Sequence, residues 1–193
     1  MGQLLSAYTP IDGYLIAREE KQEQRNNGIF VDGIQYGEVD MTAFASALAW
    51  VSPKSGERFI DLGSGVGKAV LAAAASYAFE SCTGVEILEP LHDAALRALA
   101  TCRKTLLAHE VEFICADALE HPWSTSADVV FVSLTCFTDE MVERVKVGAA
   151  ALPTGARMLV TSRPLDVEAL RLLRKEKIKY GRGTMTFLAY ERV

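Results

Sequence analysis

Along this chain, segments with strand-like composition alternate with segments whose apolar residues recur at helical spacing. Arg58 to Leu62, Ser81 to Glu86, Val111 to Cys115, Asp128 to Val132 and Ala156 to Thr161 read as short strands. Between them, Lys68 to Phe79 is alanine-rich and helical, Pro90 to Leu107 carries Leu91, Ala94, Ala95, Ala98 and Leu99 on one face, and Asp139 to Ala151 repeats the period. Asp40 stands where it caps a further helix from Met41 to Val51, broken by Ser52-Pro53 and Ser55-Gly56. A last helix is predicted from Leu165 to Lys175. Two strands follow, Ile178 to Tyr180 and Thr184 to Glu191, meeting at Gly181-Arg182-Gly183 as a hairpin.

Five strand-helix alternations and a terminal hairpin predict an α/β fold: a doubly wound, seven-stranded, mostly parallel sheet covered on both faces and closed by antiparallel strands. Ligands of such sheets bind at the carboxyl ends of the strands. Residues 1–35 read as a helical extension, with a polar helix from Tyr14 to Gln24 and a turn at Asn26-Asn27-Gly28, and residues 36–193 as the domain proper.

The length of 193 residues, with 50% apolar and 23% charged residues, suits one globular domain. Apolar runs such as Ala69 to Ala75 fall far short of the roughly 18 residues a membrane helix needs, and no secretory leader is read at the start. Cys82, Cys102, Cys115 and Cys136 form no C-x-x-C pair, and His92, His109 and His121 read as surface or loop residues away from ligand spacing. The expectation is an intracellular protein with reduced thiols and no bound metal. Met1-Gly2-Gln3-Leu4-Leu5-Ser6 fits the acylation pattern M-G-x-x-x-[ST], without the basic run that would reinforce an anchor. A net charge of −5 argues against broad nucleic-acid binding. Arg171 to Arg182 nevertheless sets six basic residues against Glu176 alone, which reads as a solvated surface or as a contact patch for an acidic partner.

The densest chemical signal is Phe59-Ile60-Asp61-Leu62-Gly63-Ser64-Gly65-Val66-Gly67-Lys68, a strand entering a glycine loop and then a helix. The dinucleotide fingerprint G-x-G-x-x-G fails because Lys68 occupies its third glycine. The phosphate loop G-x-x-x-x-G-K-[ST] fails at Leu62 and Ala69. What remains, D-x-G-x-G-x-G, suits a ligand approached closely by backbone and carrying positive charge, which Asp61 attracts; S-adenosylmethionine is such a ligand. Glu86 ends the next strand near the offset at which a carboxylate accepts from ribose hydroxyls. Asp117 follows the third strand, placed to accept from the adenine amino group while Ala118 donates its backbone N–H. Beyond the fourth strand, Ser133-Leu134-Thr135-Cys136-Phe137 forms the loop expected under the methyl acceptor. It lacks the N-P-P-[YF] or D-P-P-[YF] pattern that holds a planar amide or exocyclic amine, which disfavours base and glutamine methylation and leaves a flexible acceptor such as a lysine amine open.

Tyr36-Gly37-Glu38 ahead of a helix, the Asp61 to Gly67 loop, Gly84-Val85-Glu86-Ile87, Phe131-Val132 and Thr161-Ser162-Arg163-Pro164-Leu165 together resemble the disruptor-of-telomeric-silencing (non-SET) histone lysine methyltransferases, a class I methyltransferase family. The resemblance implies that Glu38 contacts the methionine amino group and Tyr36 shapes the cofactor pocket. It further implies that Asp61, Gly63, Ser64, Gly65, Gly67, Glu86, Ile87, Asp117 and Ala118 bind S-adenosylmethionine, leaving S-adenosylhomocysteine as product. Ser133 and Leu134 stand where the family has two asparagines, so Ser133, with Glu38, is the candidate catalytic residue. The implied partner is a protein presenting a lysine, which includes histones, with no direct nucleic-acid binding required. Two alternatives stay open: a methyltransferase of a non-histone acceptor, and a catalytically silent module that binds the cofactor for regulation. Aromatic residues Tyr180, Phe187 and Tyr190 are candidates for walling a lysine channel.

Overall fold

A computed structural model describes residues 2–27, 36–180 and 183–193, with the backbone alone at Gln3 and Tyr180. Residues 2–27 form α1 (Gly2–Ser6) and α2 (Gly13–Asn26), and the chain continues with α3 (Met41–Leu48) and a 3-10 turn at Ala49–Val51. Then come β1 (Arg58–Leu62), α4 (Lys68–Ser76), β2 (Ser81–Glu86), α5 (Glu89–Cys102), β3 (Glu110–Cys115), α6 (Trp123–Ser126), β4 (Val129–Ser133), α7 (Asp139–Ala151) and β5 (Arg157–Thr161). The chain closes with β6 (Leu170–Tyr180) and β7 (Gly183–Arg192). Capping is as the sequence predicts: Asp40 accepts from the Ala43 N–H at 2.8 Å, an interaction worth about 1 kcal/mol at a helix start. Of the expected turn after α2, Gly28 lies outside the described residues, as do Gly181 and Arg182 of the hairpin.

The seven strands run in the order β3-β2-β1-β4-β5-β7-β6. β1 to β5 are parallel, and β7 lies antiparallel to both β5 and β6. This is the doubly wound sheet with an antiparallel hairpin that the alternation predicts. On one face, Phe59, Phe131, Leu159 and Phe187 pack with α3, α4 and α5; on the other, Leu62, Val132, Val160 and Leu188 pack with α6 and α7. Phe44 of α3 lies edge-on to Phe131, 4.8 Å between ring centres, and fixes that helix over the middle of the sheet. α1 and α2 join the same layer: Leu4, Ala7, Tyr8 and Ala17 are buried there, while Gly2, the candidate acylation site, is exposed. Among the described residues no helix is long and apolar enough to cross a membrane.

One predicted element is wrong. The helix expected from Leu165 to Lys175 does not form; Leu170 begins the eleven-residue strand β6, which pairs with β7 through to Tyr180. Leu170, Leu172 and Leu173 mixed with Arg and Lys favour a helix locally. Strand pairing wins because it satisfies the backbone of β7 along its outer edge, and the Arg174 guanidinium settles over the Trp50 ring at 4.4 Å. Two helices also end early. Tyr77 turns extended after Ser76, and after α5 the N–H groups of Leu107 and Ala108 bond to the Ala74 carbonyl, at 2.7 and 3.1 Å, instead of continuing the helix. His92 is neither a surface nor a loop residue: it lies half-buried in α5, its ring nitrogen 3.3 Å from the Phe113 carbonyl.

Candidate active site

At the carboxyl ends of β1, β2 and β4 the chain encloses two adjoining spaces. The larger is a cleft of about 300 Å³ lined by Glu86, Ile87, Leu91, Asp117, Ala118, Phe137, Met141 and Arg144. The smaller, about 30 Å³, is lined by Glu38, Asp61, Ser64, Gly65, Lys68 and Phe131. Tyr36, Gly37, Gly63 and Ser133 border both, so the two communicate where the sequence places the glycine loop and the end of β4.

The glycine loop owes its shape to residues without side chains. Gly65 has φ +52°, and a Cβ there would lie 2.8 Å from the Tyr36 ring. Only glycine meets both conditions. The loop is tied to β2 by the Gly63 and Ser64 N–H groups, which donate to the Val85 carbonyl at 2.9 and 3.0 Å. The Gly65 N–H donates to Glu86 at 2.8 Å, and the Leu88 N–H to the other oxygen of the same carboxylate at 2.9 Å. Glu86 is thus buried yet satisfied. Burial raises its carboxyl above the ordinary value, and these backbone N–H groups pull back against the rise.

Asp61 is the opposite case. It is buried on β1, and Oδ1 has no hydrogen-bond partner among the described residues. Burial pushes its carboxyl well above the usual carboxylate range, and the neighbouring Glu86 charge adds to the rise. An unpaired buried carboxylate is costly to the fold and gains most from a cation. Ser64 Oγ, also in the small cavity, is likewise buried and unpartnered.

Glu38 does not stand free. It forms an ion pair with Lys68 and accepts from the Tyr36 hydroxyl at 2.9 Å, and its N–H donates to the Tyr14 hydroxyl at 3.3 Å. The Tyr36 hydroxyl is raised strongly, chiefly by burial and then by the Glu38 charge, so it remains a donor. Lys68 opens α4, where a positive charge opposes the helix dipole by about 0.3–1 kcal/mol. Its pairing with Glu38 and its position 5.4 Å from the Tyr8 ring centre offset that penalty. In the sequence Lys68 excludes dinucleotides, and a lysine at the first position of a helix is also a signal that a carboxylate lies near.

Asp117 accepts from the Leu119 N–H at 2.8 Å and lies 3.8 Å from Arg144. Ile87 is 57% exposed at the rim of the cleft. Gly67 is apart from the other candidates: it borders neither space and packs against Phe113 beneath the loop. Phe137, Met141 and Arg144, which sequence reading did not single out as binding residues, supply the outer wall of the cleft.

At the end of β4, Thr161 Oγ1 donates to Ser133 Oγ at 2.9 Å, and the Thr135 and Ser162 hydroxyls lie 2.7 Å apart. Ser162 has φ +70°, a left-handed backbone uncommon outside glycine. Ser133 Oγ thus accepts from Thr161 and has the Thr135 hydroxyl 3.5 Å away, a long contact in which either oxygen can donate, and it retains capacity for one further bond. Leu134 is fully buried and contributes nothing polar. Phe187 and Tyr190 are core residues and not channel walls: Phe187 lies edge-on to Trp50, and the buried Tyr190 hydroxyl accepts from the Leu165 N–H at 3.0 Å. The side chain of Tyr180 lies outside the described residues.

The family described as "Histone methylation protein DOT1" matches residues 25–181. No curated protein matches the chain. Among solved structures, an RNA methyltransferase from Salinibacter ruber in complex with S-adenosyl-L-homocysteine is 18% identical, with a TM-score of 0.63 over 81% of this chain and 94% of that one. TrmN from Thermus thermophilus is 17% identical, TM-score 0.67, over 83% of this chain and 51% of that one. Magnesium protoporphyrin IX methyltransferase from Synechocystis, with bound S-adenosylmethionine, is 15% identical, TM-score 0.63, over 95% and 98%. The likeness is one of fold, the class I methyltransferase sheet.

Proposed function

Since the chain belongs to the histone methylation protein DOT1 family, we propose that it is an S-adenosylmethionine-dependent methyltransferase acting on a lysine amine of a protein, histones included. The observation that carries the reading is the unpaired Asp61 carboxylate in a small cavity beside a cleft large enough for a nucleoside. A cofactor with a cationic sulfonium and amino group supplies the partner that Asp61 lacks, and it brings an electrophilic methyl group to the end of β4. Glu38 and Tyr36 would hold the amino-acid end and Glu86 the ribose through the lone pairs its backbone bonds leave free. Asp117 and the Ala118 N–H would take the adenine, with Gly63, Ser64 and Gly65 allowing close approach and Ile87 covering the rim.

Methyl transfer by in-line displacement needs a neutral amine, alignment and few competing waters. Ser133 Oγ borders both spaces and is oriented by Thr161, so it is placed to accept an N–H bond from the amine and fix its lone pair. In this reading residues 36–193 are the transferase domain and 1–35 its extension. The four free cysteines fit an intracellular, reducing setting.

Calorimetry with S-adenosylmethionine tests the cofactor assignment: binding that Glu86→Ala weakens markedly is expected, and wild-type protein indifferent to the cofactor would overturn it. Transfer of labelled methyl groups into histones, nucleosomes and whole extract, read by mass spectrometry, tests the acceptor, and label confined to nucleic acid would refute lysine. A second reading, a cofactor-binding module without activity, is favoured by one observation: Ser133 is the sole polar side chain where the family has two asparagines, since Leu134 is buried. Cofactor binding with no labelled product would select it.

A further inference from the structure

β6 is the outermost strand, and its outer edge lies open. Among the described residues, no backbone bond joins Arg171 to Lys179 to any element other than β7. Every residue from Arg171 to Lys177 is exposed, as is Lys179. Lys175, Lys177 and Lys179 are two residues apart, so their side chains share one face of the strand, about 6.6 Å from one to the next. Their cross-strand neighbours are Leu188, Thr186 and Thr184, none of them acidic. Arg171 and Arg174 have carboxylate partners in Glu191 and Glu176; no ion pair is formed by the three lysines among the described residues.

The register ties this row to the site. Ser133 pairs with Thr161, Thr161 with Phe187, and Phe187 with Glu176, in one line across the sheet. Lys175 lies one residue before that line, while Lys177 and Lys179 continue beyond the carboxyl end of β5. At about 4.8 Å per strand, the lysine row runs roughly 14 Å from Ser133, and Lys177 and Lys179 reach the same carboxyl-end side of the sheet as the cleft.

We propose that this edge docks an extended acidic segment of the acceptor protein, which adds to β6 as an eighth strand with its carboxylates facing Lys175, Lys177 and Lys179. The proposal rests on the reading that the acceptor is a protein, and adds how that protein is held. Charge selects the occupant. A second copy of β6 brings lysines against lysines and is repelled, the usual protection of an open edge. A strand with acidic residues at alternate positions meets both the free backbone groups and the lysines. Nucleic acid fits less well: the chain is −5 overall, and no aromatic residue interrupts 171–179 to stack a base.

The test uses the full chain without cofactor and a fluorescent peptide of about ten residues alternating Glu and Val, the length of one strand. Anisotropy should show saturable, salt-sensitive binding. The combined change Lys175→Glu, Lys177→Glu and Lys179→Glu should weaken it at least about tenfold, as should N-methylation of alternate peptide amides. The milder combination of Lys→Gln at the same positions should fall between, and serves if the reversed variant folds poorly. An acidic peptide that does not bind, that binds the wild-type protein and the variants equally, or that single-stranded oligothymidylate displaces from the protein at lower concentration than unlabelled peptide does, overturns the proposal. Because cofactor is absent, a failure of S-adenosylmethionine binding leaves this result untouched. With cofactor, the lysine changes should raise KM for an acidic acceptor while kcat and the KM for cofactor stay unchanged.

Discussion

The small cavity and the large cleft share Tyr36, Gly37, Gly63 and Ser133, yet they treat their carboxylates differently. In the cleft, Glu86 accepts from two backbone N–H groups and Asp117 from one, so each is settled before any ligand arrives. In the small cavity, Asp61 is buried without a partner at Oδ1, and Glu38 is neutralised by Lys68. On the proposed reading the cleft would recognise by shape and by lone pairs left over from structural bonds, whereas the cavity would recognise by a buried carboxyl whose ionised form the fold leaves unsupported. The lesson is that a fold's least satisfied carboxylate marks where a cation belongs.

The largest effect on this contrast should come from closing the loop between the two spaces. Gly65→Val introduces a branched side chain at φ +52° against the Tyr36 ring. Cofactor binding should fall below detection in calorimetry, with about 1–3 kcal/mol lost in stability from the backbone strain. Detectable binding would mean that the loop does not frame the ligand.

Asp61→Asn should follow, weakening cofactor binding by over about a hundredfold while raising the stability of the ligand-free protein. The pH dependence has a fixed sign. The folded-state pKa of Asp61 lies above its unfolded value, so the folded protein holds the extra proton. Stability should therefore fall as pH rises from the unfolded carboxylate range through the raised folded value. Affinity for a cationic cofactor should rise across that same interval, and the Asn variant should flatten its own share of both profiles.

Glu86→Ala should cost less affinity, about ten- to thirtyfold, but it should also destabilise the free protein by about 1–3 kcal/mol, because two buried N–H groups lose their acceptor. Opposite signs for the stability effects of Asp61→Asn and Glu86→Ala are the sharpest check on the difference between the two spaces; matching signs would erase it. Smallest should be Ser133→Ala: cofactor affinity unchanged, with transfer to the acceptor slowed about tenfold in single-turnover assays.

Four of the five parallel strands were legible because each is an interior strand whose composition leaves few alternatives, and β3, at the sheet edge, because Val111 to Cys115 is still a short apolar run; Asp139–Ala151 was legible from its apolar period. β6 was illegible for the converse reason: Leu170 to Lys175 is acceptable as a helix in isolation, and only β7, a later segment, turns it into a strand. Asp61, Glu86 and Asp117 could be placed near strand ends from their position after apolar runs. Which of them lacks a partner depends on backbone N–H groups that approach in three dimensions. Likewise Lys68 and Glu38 are 30 residues apart, and their pairing follows from the turn of the chain between α3 and α4. Gly67 has the glycine-loop signature but serves the packing of Phe113 beneath it.

The first two helices reach the small cavity from outside the sheet. The Tyr8 hydroxyl donates to the Val66 carbonyl at 3.0 Å, and Gly13 lies so close to Tyr36 and Glu38 that any side chain there would collide with both. These helices are therefore masonry of the chamber: they buttress the Tyr36–Glu38 wall and the loop at Val66, so that a chain shortened past Gly13 should lose that support and loosen the wall from outside.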